Sequence, residues 1–467
     1  MKDFLALPAL QQARLIRTGE LSSLELVQAH LDQIAAVNPV VNAAVEVFGD
    51  RALEQARQAD AAISRNERVG DFHGVPFSVK DSIEIKNVTC TAGTLGRRHA
   101  TPAAEDATLV RRLREAGAIP IAKTNLPDLL FSFESDNLIF GQTKNPYNVE
   151  RTCGGSSGGE AALIACCGSP MGLGSDAAGS VRLPAAFCGV SGIKPTSGRL
   201  ARTGHFPPAG GWIESLWQIG PLARSVADLA AMMRALAGPD ARDRTASTLP
   251  WSDPAPRDIR DLRIAFYTDN GFAPADEDVA RVVRHAACAL DREGVRVDEH
   301  RPACLENAYD LEMKLLGADG PGSLWQYLEE IGSTSVHPLL RGWLQKLEPY
   351  RTDVKGLQKY WANWDEFRNE MFAFLQDYDV VLCPAYTHAA LAHGASIDDA
   401  NFRGFSHTMA FNVAGWPAAV VRGGESDDGL PIAVQVAAGP WREDRVLAVA
   451  EWLEEKFGGW RPPKLIS

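Results

Sequence analysis

Two serines, each set among glycines, and an unbroken apolar run between them fall inside residues 153–195. The stretch opens Cys153-Gly154-Gly155-Ser156-Ser157-Gly158-Gly159-Glu160, passes through Ala161-Ala162-Leu163-Ile164-Ala165-Cys166-Cys167, and reaches Gly174-Ser175-Asp176-Ala177-Ala178-Gly179-Ser180-Val181-Arg182-Leu183-Pro184. Glycines crowded around a hydroxyl let backbone N–H groups approach another group closely or take positive φ, which side chains obstruct. A serine in such a loop is a candidate nucleophile, needing a base within hydrogen-bond reach and N–H donors for the oxyanion that develops. The competing reading of a glycine-serine run is a flexible linker or an ordinary turn. A linker would not lead straight into an apolar segment that reads as a buried helix over 161–167. The loop is therefore expected to be ordered, with its glycines as a source of donors.

The base is not an obvious histidine: none of the ten lies in the stretch, and no Ser-His-Asp order can be read from spacing. Upstream, His73-Gly74-Val75-Pro76-Phe77-Ser78-Val79-Lys80-Asp81 places a lysine at the end of an apolar, strand-like run. Lysine is rarely buried unless paired, and a desolvated lysine loses pKa and can serve as a general base. A surface lysine beginning a loop is the alternative that these residues alone leave open.

Together, the segment ending Lys80-Asp81, the Gly154-Gly155-Ser156-Ser157-Gly158-Gly159 loop and the Asp176-to-Ala185 turn resemble the amidase signature family of serine hydrolases. The two motif serines, Ser156 and Ser180, have the separation used in that family, and the three motifs stand in the right order. Ala122-Lys123-Thr124-Asn125-Leu126-Pro127, Phe140-Gly141-Gln142-Thr143-Lys144-Asn145-Pro146 and Phe187-Cys188-Gly189-Val190-Ser191-Gly192-Ile193-Lys194-Pro195-Thr196 resemble its intervening and following segments. Gly429-Leu430-Pro431-Ile432-Ala433-Val434-Gln435 looks like its closing strand, and only about 240–377 matches no pattern of the family.

The resemblance implies one large α/β domain over 1–467, with a central mixed, mostly parallel sheet covered by helices on both faces. Its parts would be N-terminal helices (about 1–68), a core carrying the catalytic loops (69–240), a variable region and possible substrate cap (241–377), and closing strands and helix (378–467). It further implies Ser180 as nucleophile, Ser156 as bridging serine held by a cis Gly155–Ser156 bond, and Lys80 as terminal base. Backbone N–H groups of Ala177, Ala178, Gly179 and Ser180 would form the oxyanion hole. Gly155, Ser157, Asp176 and Arg182 are expected to support the site, the last two as opposite charges bracing the turn. Most relatives carry glycine where Ala178 stands, so its methyl either tolerates the turn or narrows the pocket.

The charge balance bears on partners: a net charge of −12 argues against nucleic acid, and no basic patch with interleaved aromatics is present. The N-terminal apolar run is too short for a secretory signal, and no stretch approaches the ~20 apolar residues that span a membrane. A cytoplasmic protein is expected, with its eight cysteines reduced, since they lack framework or Cys-X-X-Cys spacing. His388 and His393 do not have a familiar zinc spacing, so no metal is implied, and the resemblance calls for no cofactor.

Ser22 and Glu25 form a capping box that starts an amphipathic helix, expected to stop near Asn38-Pro39; an alanine-rich helix follows over 50–64. A strand over 72–79, a helix over 108–115 stopped by Gly117 and a strand over 119–122 give the alternation of an α/β layer fold. A new cycle begins with a strand at 262–266, a helix over 279–292 and a strand at 295–297. Trp325, Tyr327, Trp343, Tyr360, Trp361 and Trp364 then fall in longer helices, where they are either core or a cap over the site. A strand at 380–383 and a helix over 442–457 close the chain.

The expected activity is amide hydrolysis through an acyl-enzyme on Ser180, acting on a small-molecule amide. Glu160 and the run after it look more like the fatty-acid amide and aryl acylamidase branch, which motivates apolar or aryl amides, and also esters or carbamates. The alternative is the glutaminase subunit of a tRNA-dependent amidotransferase, which shares all three motifs and requires a partner protein. Allophanate-type hydrolases share them too but carry a further C-terminal domain. A catalytically dead binding protein is disfavoured because Lys80, Ser156 and Ser180 are all present. Relatives are often homodimers, so a homodimer is the expected assembly.

Overall fold

Strands that are apolar on both faces can hide both only inside a layered fold. Here they include Ile119–Thr124, Gln218–Ala223 and Pro431–Ala438, each buried along its whole length. The computed structural model describes residues 3–208, 214–253 and 259–466. In chain order its strands are β1 (Ala44–Val47), β2 (Pro76–Lys80), β3 (Ile119–Thr124), β4 (Lys144–Asn145), β5 (Asn148–Thr152), β6 (Met171–Asp176) and β7 (Ser191–Lys194). They continue with β8 (Gln218–Ala223), β9 (Arg263–Phe266), β10 (Arg296–Glu299), β11 (Val380–Pro384), β12 (Ala418–Glu425) and β13 (Pro431–Ala438). Strands β4 and β5 pair as a small ribbon, and the other eleven form one sheet in the order β1-β3-β2-β6-β8-β7-β12-β13-β11-β9-β10.

The chain forms a single α/β domain around this mixed sheet, as expected, but the balance of pairing differs. Parallel pairs are confined to β3-β2-β6 on one flank and β11-β9-β10 on the other. Pairing from β6 through β8, β7, β12 and β13 to β11 is antiparallel. One cause is visible in the chain: only residues 426–430 separate β12 from β13, and so short a link joins antiparallel neighbours. Region 241–377 is not a separate body, since β9 and β10 within it complete one edge of the sheet.

The expected helices form with small shifts. Ser22 Oγ accepts the Glu25 N–H and Glu25 reaches back to the Ser22 N–H, so the capping box opens helix Ser23–Val41. That helix runs through Pro39 rather than stopping before it. Asn42, left-handed at φ 51°, closes the helix by donating its N–H to Asn38 O, and Asn38 Oδ1 accepts the N–H groups of Ala43 and Ala44. The buried helix of the motif stretch starts earlier and ends earlier than its apolar run, at Gly158–Ala165. Cys167 at φ 59° turns the chain away towards β6. Among the described residues no helix is long and apolar enough to cross a membrane.

The sheet positions the motifs. Strands β2 and β6 are parallel neighbours in register, Ser78 with Gly172 and Val79 with Leu173. Their last residues, Lys80 and Asp176, therefore emerge at one edge, the C-terminal edge where α/β sheets present reactive groups.

Candidate active site

Lys80 has no solvent exposure, and its Nζ lies 2.6 Å from Ser156 Oγ, 3.0 Å from Ser157 Oγ, and 3.1 and 3.4 Å from Ser175 Oγ and O. Burial lowers its pKa to about 7, against the opposing pull of the Asp176 and Glu160 carboxylates. A neutral amine has two N–H donors and one lone pair. In that neutral form, N–H groups donated to Ser175 and Ser157 oxygens leave the lone pair free to accept from the Ser156 hydroxyl, whereas the protonated amine donates to Ser156 Oγ as well.

Glu160, which the sequence marks only as a sign of the branch, is part of this electrostatic setting. It is fully buried, accepts hydrogen bonds from Ser78 Oγ and from Thr124 Oγ1 (2.6 Å), and is pushed up to about 7 by burial. Ser175 is a further site residue that the motifs do not single out. Its position beside Asp176 is the available signal, because a residue next to a strand-end aspartate shares that edge of the sheet.

Ser156 and Ser180 line one cavity of about 110 Å³, together with Ser175, Ala177 and Ala178. The Gly155–Ser156 peptide is cis, as the resemblance implied. Gly155 is required by space: a Cβ there would lie 2.6 Å from Glu134 N and from Ser132 O. Ser157 N–H donates to Ser180 O at 3.1 Å, tying the two motif loops together.

The expected donor set changes at one position. Gly179 N–H is already committed to Asp176 Oδ1 at 2.8 Å, so it does not face the cavity as a free donor. The amides of Ala177, Ala178 and Ser180 have no acceptor among the described residues. Gly179 instead lets the turn form, since its φ of 124° and the close approach of Thr408 both exclude a side chain. Ala178 keeps a negative φ, so its methyl tolerates the turn, and it also lines the cavity.

Asp176 and Arg182 form the brace. The guanidinium grips both carboxylate oxygens at 2.9 Å, and neither side chain has any exposure. Burial opposes the charge on Asp176, but the Arg182 guanidinium beside it holds the carboxyl well below its usual range. Arg182 also donates to Thr408 O (2.9 Å), Gln435 Oε1 (2.7 Å) and Asn412 Oδ1 (2.5 Å). Nothing in the sequence signals Thr408 or Asn412, which lie more than 220 positions downstream of Arg182.

The rest of the cavity wall is mostly apolar, with Leu129, Leu130, Phe131, Phe133, Leu316 and Trp343 among its residues and Ser132 between them. The aromatic helices thus divide: Trp343 reaches the cavity, Trp364 is core, and Trp361 is half exposed. His205 also lines the cavity, a residue that no motif marks. Burial pushes its pKa down to about 3, and its ring nitrogens meet Pro207 O (3.0 Å) and Ser82 Oγ (3.2 Å), so it is a neutral wall at working pH.

A buried lysine held near neutrality against a serine, at the C-terminal edge of parallel strands, is an arrangement that can move a proton to and from a hydroxyl. The profile of the family described as Amidase matches residues 25–447, and the chain belongs to that amidase family. Fatty-acid amide hydrolase 2 of Homo sapiens is 31% identical over 497 residues, covering 99% of this chain and 91% of that protein. The glutamyl-tRNA(Gln) amidotransferase A subunit of Roseiflexus castenholzii is 34% identical, covering 97% and 96%. The structure of 6-aminohexanoate cyclic dimer hydrolase complexed with substrate superposes with a TM-score of 0.87 at 29% identity, covering 99% and 100%. The protein is accordingly a C–N hydrolase acting on amides.

Proposed function

We propose that the protein hydrolyses apolar and aryl amides through an acyl-enzyme on Ser180, with Ser156 and Lys80 as a proton relay. The observation that carries this reading is the 2.6 Å contact between Ser156 and a fully buried Lys80 held near neutrality. A base with a pKa close to working pH suits both directions of proton transfer. Ser180 Oγ attacks the carbonyl carbon; its proton passes to Ser156 Oγ while the Ser156 proton passes to Lys80 Nζ. The tetrahedral oxyanion is met by N–H groups of Ala177, Ala178 and Ser180. Its collapse breaks the C–N bond, and the amine leaves with the proton returned through Ser156. Water then attacks the acyl-Ser180 ester by the same relay, releasing the carboxylic acid. Esters and carbamates fit the same route.

The cavity supports an apolar acyl or aryl group. At about 110 Å³, against the ~150 Å³ of an engineered apolar cavity that holds benzene, it suits a short chain as it stands and takes a ring with a modest movement of the wall. The second reading, the glutaminase subunit of an amidotransferase, is favoured by the 34% identity to such a protein. It is disfavoured by the wall: the only charged group among the described lining residues is Asp176, already paired with Arg182. Free glutamine would bring a carboxylate with no cation to meet it. The eight cysteines are all free, seven of them buried, which supports a reducing, cytoplasmic location. The homodimer belongs to this reading as its assembly.

A substrate panel tests it. Acetanilide-type and short apolar amides are expected to be cleaved with kcat/KM well above that for glutamine, and Ser180→Ala to lose ~10³-fold or more. Preference for glutamine or small polar amides, or full activity in Ser180→Ala, would overturn the reading.

A further inference from the structure

A second cleft, of about 670 Å³, shares no lining residue with the cavity at Ser180. Three strand ends meet in it: Thr196 lies two residues past β7, Gly439 directly follows β13, and Asp379 directly precedes β11. Helix Val354–Phe374 adds Trp364, Arg368 and Phe372, and the start of helix Glu443–Phe457 with the turn before it adds Trp441, Arg442 and Arg445. Its size lies within the ~300–1,000 Å³ of small-molecule sites.

The charged residues of the lining are Arg368, Arg442, Arg445 and Asp379. Asp379 is already shared, with Arg445 Nη1 2.6 Å from one oxygen and Arg263 Nε 3.1 Å from the other. Asp444 holds Arg442 at 2.7 and 2.9 Å. Arg368 is exposed and has no ion-pair partner among the described residues. One carboxylate thus serves two guanidinium groups and a third has none, a local surplus of positive charge on a chain whose net charge is −12. Arg445 Nε is a buried donor with no acceptor among the described residues, and a buried donor left unpaired is costly. Burial, and after it the like charge of Arg442, push the Arg445 pKa below the usual arginine value. An anion would relieve both.

Aromatic residues stand around these cations. The Trp364 indole N–H donates to Val413 O at 2.7 Å, and the Arg368 guanidinium lies 5.4 Å from the ring centre. Trp441 is held at φ 67°, its N–H donating to Thr196 Oγ1 at 2.8 Å. That backbone region is an outlier for a bulky residue, and strain of this kind clusters at ligand sites.

We propose that this cleft is a binding site for a small aryl carboxylate, separate from the catalytic centre, with the carboxylate met by Arg368 and Arg445 and the ring beside Trp364 and Phe372. A planar carboxylate matches the guanidinium fork, and an aromatic ring gives the rest of the ligand a surface to stack on. Phosphate would use the arginines and leave the rings empty; a neutral arene would do the reverse.

Isothermal titration calorimetry of the full chain with 2-naphthoate in low salt reads the site, and it needs no turnover, so it stands apart from the chemistry at Ser180. Saturable one-to-one binding is expected. 2-Naphthylmethanol, which keeps the ring without the charge, and inorganic phosphate, which has charge without a ring, are each expected to bind at least ~tenfold more weakly. Arg368→Gln and Phe372→Ser alter exposed side chains, and each is expected to raise the Kd for 2-naphthoate at least ~fivefold with an unchanged thermal unfolding midpoint. No saturable binding at millimolar 2-naphthoate, or binding of the alcohol or of phosphate as tight as that of 2-naphthoate, would overturn the proposal. So would wild-type affinity in both variants, which would place the ligand elsewhere, the Ser180 cavity included.

Discussion

Lys80 shows what the folded chain does to an ordinary side chain. Burial takes its pKa down to about 7, and the Asp176 and Glu160 carboxylates stop it falling further. The relay needs neutral Lys80, so activity grows as the proton is lost: kcat/KM is expected to rise with pH up to about 7 and then level. Glu160 is itself pushed up to about 7, so the ascending limb reports the pair. Glu160→Gln removes a carboxylate that favours the charged lysine, and the limb is expected to move to lower pH. A pH–rate profile unchanged by Glu160→Gln, or one that falls as pH rises towards 7, would contradict this account. The lysine and both serines are legible in the sequence because each sits in a distinctive local run. Glu160 and His205 are not legible as site residues, and Ser175 only through its place beside Asp176. What they contribute is burial and proximity, which only the packed sheet creates.

At the level of elements, position follows from register. Strands β2 and β6 run parallel and end together, which brings Lys80 to Ser175 and the serine loops although about 95 residues separate them. The capping box, the alanine-rich helix and the starts of β3 and β11 can be read in advance, since each rests on neighbours in the chain, whereas the strand expected over 72–79 is β2 at Pro76–Lys80. The passage of helix Ser23–Val41 through Pro39 cannot, because it depends on Asn38 and Asn42 binding the turn beyond it. Sequence alone leaves the aromatic helices open between core and cap. Helix Pro338–Leu347 resolves one member by carrying Trp343 to the cavity wall, edge-on to Phe131 at 5.8 Å. Trp343→Ala is expected to enlarge the cavity at a stability cost of about 3–5 kcal/mol. In a panel of anilides graded by acyl size, kcat/KM should shift towards bulkier acyl groups. An unchanged size preference would remove Trp343 from the wall.

Across the whole molecule, Arg182 is the node that joins parts far apart in sequence. It ties the end of β6 through Asp176, helix Ser406–Val413 through Thr408 and Asn412, and β13 through Gln435. Removing one partner of a buried pair strands the other charge, so Arg182→Leu is expected to cost about 3–5 kcal/mol in urea unfolding. A loss below ~1 kcal/mol, the range of exposed pairs, would show that the brace is not what holds the turn. The mixed α/β class is legible from alternating segments, but the antiparallel centre of the sheet is not, because pairing partners such as β7 and β12 lie over 200 residues apart. All of the proposed chemistry passes through one nucleophile, Ser180. Intact-protein mass after incubation with a small fluorophosphonate, compared between wild type and Ser180→Ala, tests it most directly. One adduct on the wild type, mapped by peptide digestion to Ser180 and absent from Ser180→Ala, is the result predicted; an adduct that persists in Ser180→Ala, or that maps to Ser156, Ser157 or a cysteine, would contradict it.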